Sequence, residues 1–122
     1  MADFISGTVL TAASLDSAFN QVIVNAQTGT SYTLVSSDQG GMVTMNNSSA
    51  NTLTLPPYST VPLPVGTTVL IASLGTGQTT VAAGAGVTVN GTPGLKIRTQ
   101  YSAATAVKLA TDTWLIIGDL SA

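Results

Sequence analysis

Eight side chains carry all the formal charge of this 122-residue chain: Asp3, Asp16, Asp38, Asp112 and Asp119 against Lys96, Arg98 and Lys108, a net of −2. There is no histidine and no cysteine. Such a set cannot build a Ser-His or Cys-His nucleophile pair or an imidazole or thiolate metal site, and nothing in it ordinarily titrates near neutrality. The enzymatic chemistry left is an all-aspartate glycosidase, which needs two carboxyls brought together in a cleft. A non-enzymatic chain with no catalytic, cofactor or metal site is therefore expected, and with it no pH switch between about pH 5 and 8.

Two binding chemistries remain to be weighed. Trp114 with Tyr32, Tyr58 or Tyr101 could make a platform for sugars, but a tryptophan plugging a core with a tyrosine over it is the expected use. Lys96, Arg98 and Lys108 could form a small anion site if copies converged in a homotrimer, although solvated strand faces are the simpler reading. Three cations supply no phosphate-tracking stripe, so nucleic acid is not an expected partner. Nor is a membrane, since glycines, prolines and hydroxyls break every apolar stretch well short of ~20 residues. Met1-Ala2-Asp3-Phe4 has an acid where a signal peptide carries positive charge, so no secretory leader is expected.

The elements that must position these residues are mostly strands. Leu15, Ala18, Phe19 and Val22 recur at helical spacing and predict a short helix between Thr11 and Val22. After it the period is two. Short Val-, Ile- and Thr-rich strands are predicted at Val22–Val24, Tyr32–Val35, Met42–Met45, Thr52–Leu55, Thr67–Ser73, Thr79–Ala82, Val87–Val89, Leu95–Arg98, Thr105–Ala110 and Trp114–Ile117. Turn signals such as Gly75-Thr76-Gly77 and Asn90-Gly91 separate them. Only 7% of residues are charged but 44% are hydrophobic, which excludes general disorder. The fold class expected is all-β, a small sandwich or barrel, with residues 1–24 an N-terminal arm and 25–122 the β domain. In the last hairpin, a turn at Ala110-Thr111-Asp112-Thr113 would set Leu109 opposite Trp114 and Val107 opposite Ile116 on the core side. Lys108, Leu115 and Ile117 would then lie outside, with the two aliphatics needing cover.

The remaining motifs reduce to turn chemistry. Gly75-Thr76-Gly77 lacks the third glycine and the helix of a dinucleotide site. Asn46-Asn47-Ser48, Asn47-Ser48-Ser49 and Asn90-Gly91-Thr92 match glycosylation acceptors but read as turns. Asp38 lacks the further acids of a calcium loop. More telling is that no charge at all lies between Asp38 and Lys96. A monomer keeps itself soluble with interspersed charges, whereas an assembly component can use threonine, serine and asparagine.

The run from Asn46 to Pro57, then Pro64-Val65-Gly66-Thr67, Gly75-Thr76-Gly77-Gln78 and Ala82-Ala83-Gly84-Ala85-Gly86-Val87-Thr88, resembles a small β module of tailed-bacteriophage virion proteins. Leu95-Lys96-Ile97-Arg98, Gln100 to Thr105 and Trp114 to Leu120 are similar to the end of that module, so the resemblance covers roughly Thr30 to Leu120. The module occurs in head decorations, head fibres and tail-associated proteins. The stretch from Gly7 to Leu15 leading to Phe19-Asn20 resembles segments that attach such proteins to the particle, and no collagen-like or heptad shaft follows it. The resemblance implies a capsid decoration or cement protein on the virion surface, bound to the major capsid protein, and the charge-free segment with the uncovered hairpin face adds the expectation of a homotrimer. Phe4, Ile5, Leu10, Leu15 and Phe19 are the expected docking residues, and Leu115 and Ile117 the expected subunit interface. The alternative is a fibre protein that adsorbs to a host glycan.

Overall fold

The structure, a computed structural model, describes residues 22–122. The predicted arm helix, apart from Val22, and the docking residues Phe4, Ile5, Leu10, Leu15 and Phe19 lie outside the described residues. The rest is all-β: β1 (Val24–Gln27), β2 (Ser31–Thr33), β3 (Met42–Met45), β4 (Asn51–Leu55), β5 (Thr68–Ser73), β6 (Thr79–Ala83), β7 (Thr88–Gly91), β8 (Lys96–Ile97), β9 (Ala103–Ala110), β10 (Thr113–Gly118) and β11 (Leu120–Ser121), with one 3-10 turn at Ser36–Asp38.

These strands form two sheets, one ordered β1-β3-β5-β9-β10-β7 and the other β11-β8-β6-β4-β2. Through β6 the chain alternates between sheets, and each strand pairs in parallel with the strand two places on. The arrangement is a solenoid of three coils, and it corrects the expected sandwich or barrel. Parallel neighbours need a crossover between them. Here the crossover is the strand in the opposite sheet, because the turns after β1 and β3 carry the chain across the core instead of back alongside itself. The second and third coils are in step on both sides: Met42 lies beside Leu70 and Asn51 beside Thr79, 28 residues on in each case (70 − 42, 79 − 51). The antiparallel pair β9-β10 then closes the first sheet, with β9 on β5 and β10 on β7.

Every second residue of each strand faces between the sheets. Val43 and Met45, Leu53 and Leu55, Val69 and Ile71, Val81, Ile97, Trp114 and Ile116 make a continuous buried core. At one corner the core turns polar. Asn51 donates to the Ser49 carbonyl at 3.0 Å and accepts from the Thr79 hydroxyl, which also lies 3.3 Å from the Ser73 hydroxyl. Successive coils stack tightly there: a Cβ on Gly75 would overlap the Asn47 carbonyl, and one on Gly77 the Ser49 carbonyl. These glycines are needed for close approach of backbone to backbone. The Asn47 carboxamide makes the expected turn, accepting from Ser49 N at 2.8 Å and donating to the Thr28 carbonyl at 2.7 Å.

The last hairpin departs from its expected register. A bulge at Leu109, left unpaired between the Thr113–Ala110 and Trp114–Lys108 pairs, sets Trp114 opposite Lys108, Leu115 opposite Val107 and Ile116 opposite Ala106. The extra residue shifts pairing by one, and a one-residue slip exchanges the two faces of a strand. Lys108 therefore points into the core, while Val107 and Leu109 point out with Leu115 and Ile117.

Candidate functional site

The alternation that fills the core also decides what the sheets present outward. On the six-stranded sheet, a row of outward residues runs Val24, Met42, Leu70, Thr105, Ile117 from strand to strand, and a second runs Thr68, Val107, Leu115, Asn90. Leu109 extends the second row. Val24, Leu109 and Ile117 are more than half exposed, and Met42, Leu70, Val107 and Leu115 partly so. No outward-facing residue of these six strands is charged, because the one lysine among them, Lys108, is turned inside. Leu115 and Ile117 belong to this face. Val24, Met42, Leu70, Val107 and Leu109 are its unforeseen members, since only the parallel order of β1, β3 and β5 brings them beside the hairpin.

The outer face of the five-stranded sheet is of the opposite character. Ser31, Thr52, Thr80, Lys96 and Ser121 share one row, and Thr33, Thr54 and Ala82 a second. The three cations do not converge. Lys96 is exposed here and Arg98, also exposed, forks onto Asp119, but Lys108 is buried, which corrects its reading as part of a solvated strand face.

Lys108 is held under the Pro56–Thr67 loop. Its Nζ donates to the Leu63 carbonyl at 2.6 Å and sits 4.9 Å from the centre of the Tyr58 ring and 5.8 Å from that of Trp114. Cation–aromatic contact offsets part of the desolvation of the ammonium. Burial pushes its pKa below the usual lysine range, with Asp112 opposing. Asp112 also anchors the loop, accepting from Tyr58 N at 2.8 Å. Trp114 is fully buried, and its Nε1 has no hydrogen-bond partner among the described residues.

Two polar clusters fasten the ends of the sheets. Asp38, buried at the 3-10 turn, accepts from the Tyr32 hydroxyl at 2.5 Å, from Asn25 Nδ2 at 2.9 Å and from Val35 N at 3.0 Å. Each inward-facing polar group of β1 and β2 thus meets a partner where the apolar core ends. Elsewhere Arg98 makes a bidentate pair with Asp119 (2.7 and 2.9 Å), which Ser102 joins at 2.8 Å. That pairing holds the Asp119 carboxyl below the usual carboxylate range. Both clusters spend their donors and acceptors within the fold.

Tyr32 yields a pH test. Desolvation first, then the Asp38 carboxylate, pushes its pKa up from 10.0 to about 12. An acid whose folded pKa is raised stabilises fully below its unfolded value, and that contribution is lost between pH 10 and about 12. Lys108 acts oppositely: the unfolded chain holds its proton to higher pH, so stability gains as pH rises toward the ordinary lysine value of about 10.4. Urea unfolding of Tyr32→Phe from pH 9 to 12 is expected to lack the wild type's decline above pH 10. An unchanged decline would place the titrating group elsewhere.

Of the aromatic platform, Trp114 is in the core and Tyr32 is engaged with Asp38, which leaves Tyr58 and Tyr101 at the surface, 45% and 76% exposed. Among the described residues no group of three or more histidines, cysteines or acids could hold a metal ion, and no helix is long and apolar enough to cross a membrane. No protein-family model matches the chain, and no curated protein matches it in sequence.

Proposed function

We propose that the chain is a non-enzymatic structural protein of a tailed-phage virion, a decoration or cement protein that bridges major capsid subunits and adds buried area to contacts strained by internal DNA pressure. The observation that carries this reading is the outer face of the six-stranded sheet, broad, apolar and free of charge. A surface of that kind, with the one available lysine folded inside, is built to be covered. The resemblance of Thr30 to Leu120 to virion β modules points the same way, and the arm with Phe4, Ile5, Leu10, Leu15 and Phe19 is the proposed attachment to the shell.

Incubating the purified protein separately with assembled shells and with host cells, then sedimenting each, tests the proposal. Saturable recovery with shells alone is expected, and removal of Met1 to Leu10 is expected to abolish it. Recovery with cells or polysaccharide but not with shells would replace the decoration role by glycan adsorption through Tyr58 or Tyr101.

A further inference from the structure

We infer that the outer face of the six-stranded sheet is a contact between two copies of this chain, each laying that face on the same face of the other. The inference rests on the assembly reading above for its context but on the face itself for its argument. Val24, Leu70, Val107, Leu109, Leu115 and Ile117 form a patch on which no outward residue is charged. Covering such a patch strips water from no ion, so the penalty that makes buried charges costly does not arise. It also gives a charged partner nothing to recognise. A partner must match it in neutrality, and the same face of a second copy does. Among the described residues three acids balance three bases, and none of the six lies on this face: Lys96 is on the other sheet, Asp112 accepts from Tyr58 N, Asp119 pairs with Arg98, and Asp38 and Lys108 are buried.

The dimensions are adequate. Six strands span five spacings of ~4.8 Å, about 24 Å, and strands of about five residues run ~18 Å, a flat footprint of ~430 Å² per copy. Two such footprints come to about 860 Å², and side-chain relief adds to that, so the contact lies close to the ~1,000 Å² at which contacts become specific. An interface at that lower limit is concentration-dependent. Face-to-face closure of one sheet by a like sheet is a two-fold contact, where the sequence led to the expectation of a three-fold association.

Sedimentation equilibrium of the full chain at about 100 μM, a concentration suited to a small interface, is expected to give the mass of two chains. Ile117→Asp sets two like charges into the contact and is expected to give one, with its circular dichroism unchanged; Leu109→Glu does the same at the hairpin end should Ile117→Asp not fold. Thr52→Asp, on the opposite sheet, is expected to leave the pair intact. A monomeric wild type, a mass of three chains, or a pair that survives both face substitutions would overturn the inference. Attachment to shells is assigned to the arm and is read by sedimentation with shells, so a failure of the pairing and a failure of the decoration role give different results.

Discussion

Trp114→Ala is expected to cost about 3–5 kcal/mol, enough to unfold or nearly unfold a domain whose whole stability is commonly about 5–15 kcal/mol. The indole is fully buried between the sheets. It sits opposite Lys108 on β9 and beside Val89 on β7, so it holds the closing hairpin to the rest of the six-stranded sheet. Its removal leaves a cavity and takes one of two aromatic surfaces from a buried ammonium. Urea denaturation gives the magnitude. Blue-shifted, quencher-resistant fluorescence of the wild type, whose only tryptophan this is, tests the burial independently. Melting unchanged by the substitution would contradict a core role and return Trp114 to the sugar-platform reading.

Gly77→Ala should be nearly as damaging, for a different reason. An added methyl at Gly77 would overlap both the carbon and the oxygen of the Ser49 carbonyl. That obstacle is backbone in the adjoining coil and has no rotamer by which to retreat. Overpacking of this kind costs about 1–3 kcal/mol and sometimes more, and the displaced corner also carries the hydrogen bonds of Asn51. Gly40→Ala is the informative control. Gly40 has φ +73° with nothing within 4 Å of an added Cβ, so only the left-handed backbone is penalised, by roughly 1 kcal/mol. If urea midpoints show Gly77→Ala no worse than Gly40→Ala, the coils are not in close stacking contact at this corner.

The strands were legible in the sequence because period-two alternation is a local signal. All ten predicted runs lie on or beside observed strands, and the omitted β11 is only two residues long. Alternation says which residues share a side of a strand but not which strand lies next to it, so parallel coils and an antiparallel sandwich read alike. The closing hairpin failed on a finer point. Nothing in Lys108 to Trp114 announces a bulge at Leu109, and that single unpaired residue was enough to exchange Lys108 with Val107 and Leu109 between core and surface. The outward position of Leu115 and Ile117 survived because it depends only on their alternation with Trp114 and Ile116 within one strand. The wider face escaped notice because Val24, Met42 and Leu70 are separated in sequence and meet only through strand order.

The coiled path also has a bearing on how this chain can change length. Each coil donates one strand to either sheet, so a complete turn can be gained or lost without altering which residues of its neighbours point inward. A partial turn cannot, since it would deliver the next strand to the wrong sheet. The β1 and β2 margin, where among the described residues each sheet ends in a strand paired on one side only, is the place where a whole turn could be appended with the hairpin at the far side left undisturbed. Related molecules should accordingly differ in size by discrete steps of roughly one coil, and shorter insertions should collect in the connections, as the Pro56–Thr67 loop already does.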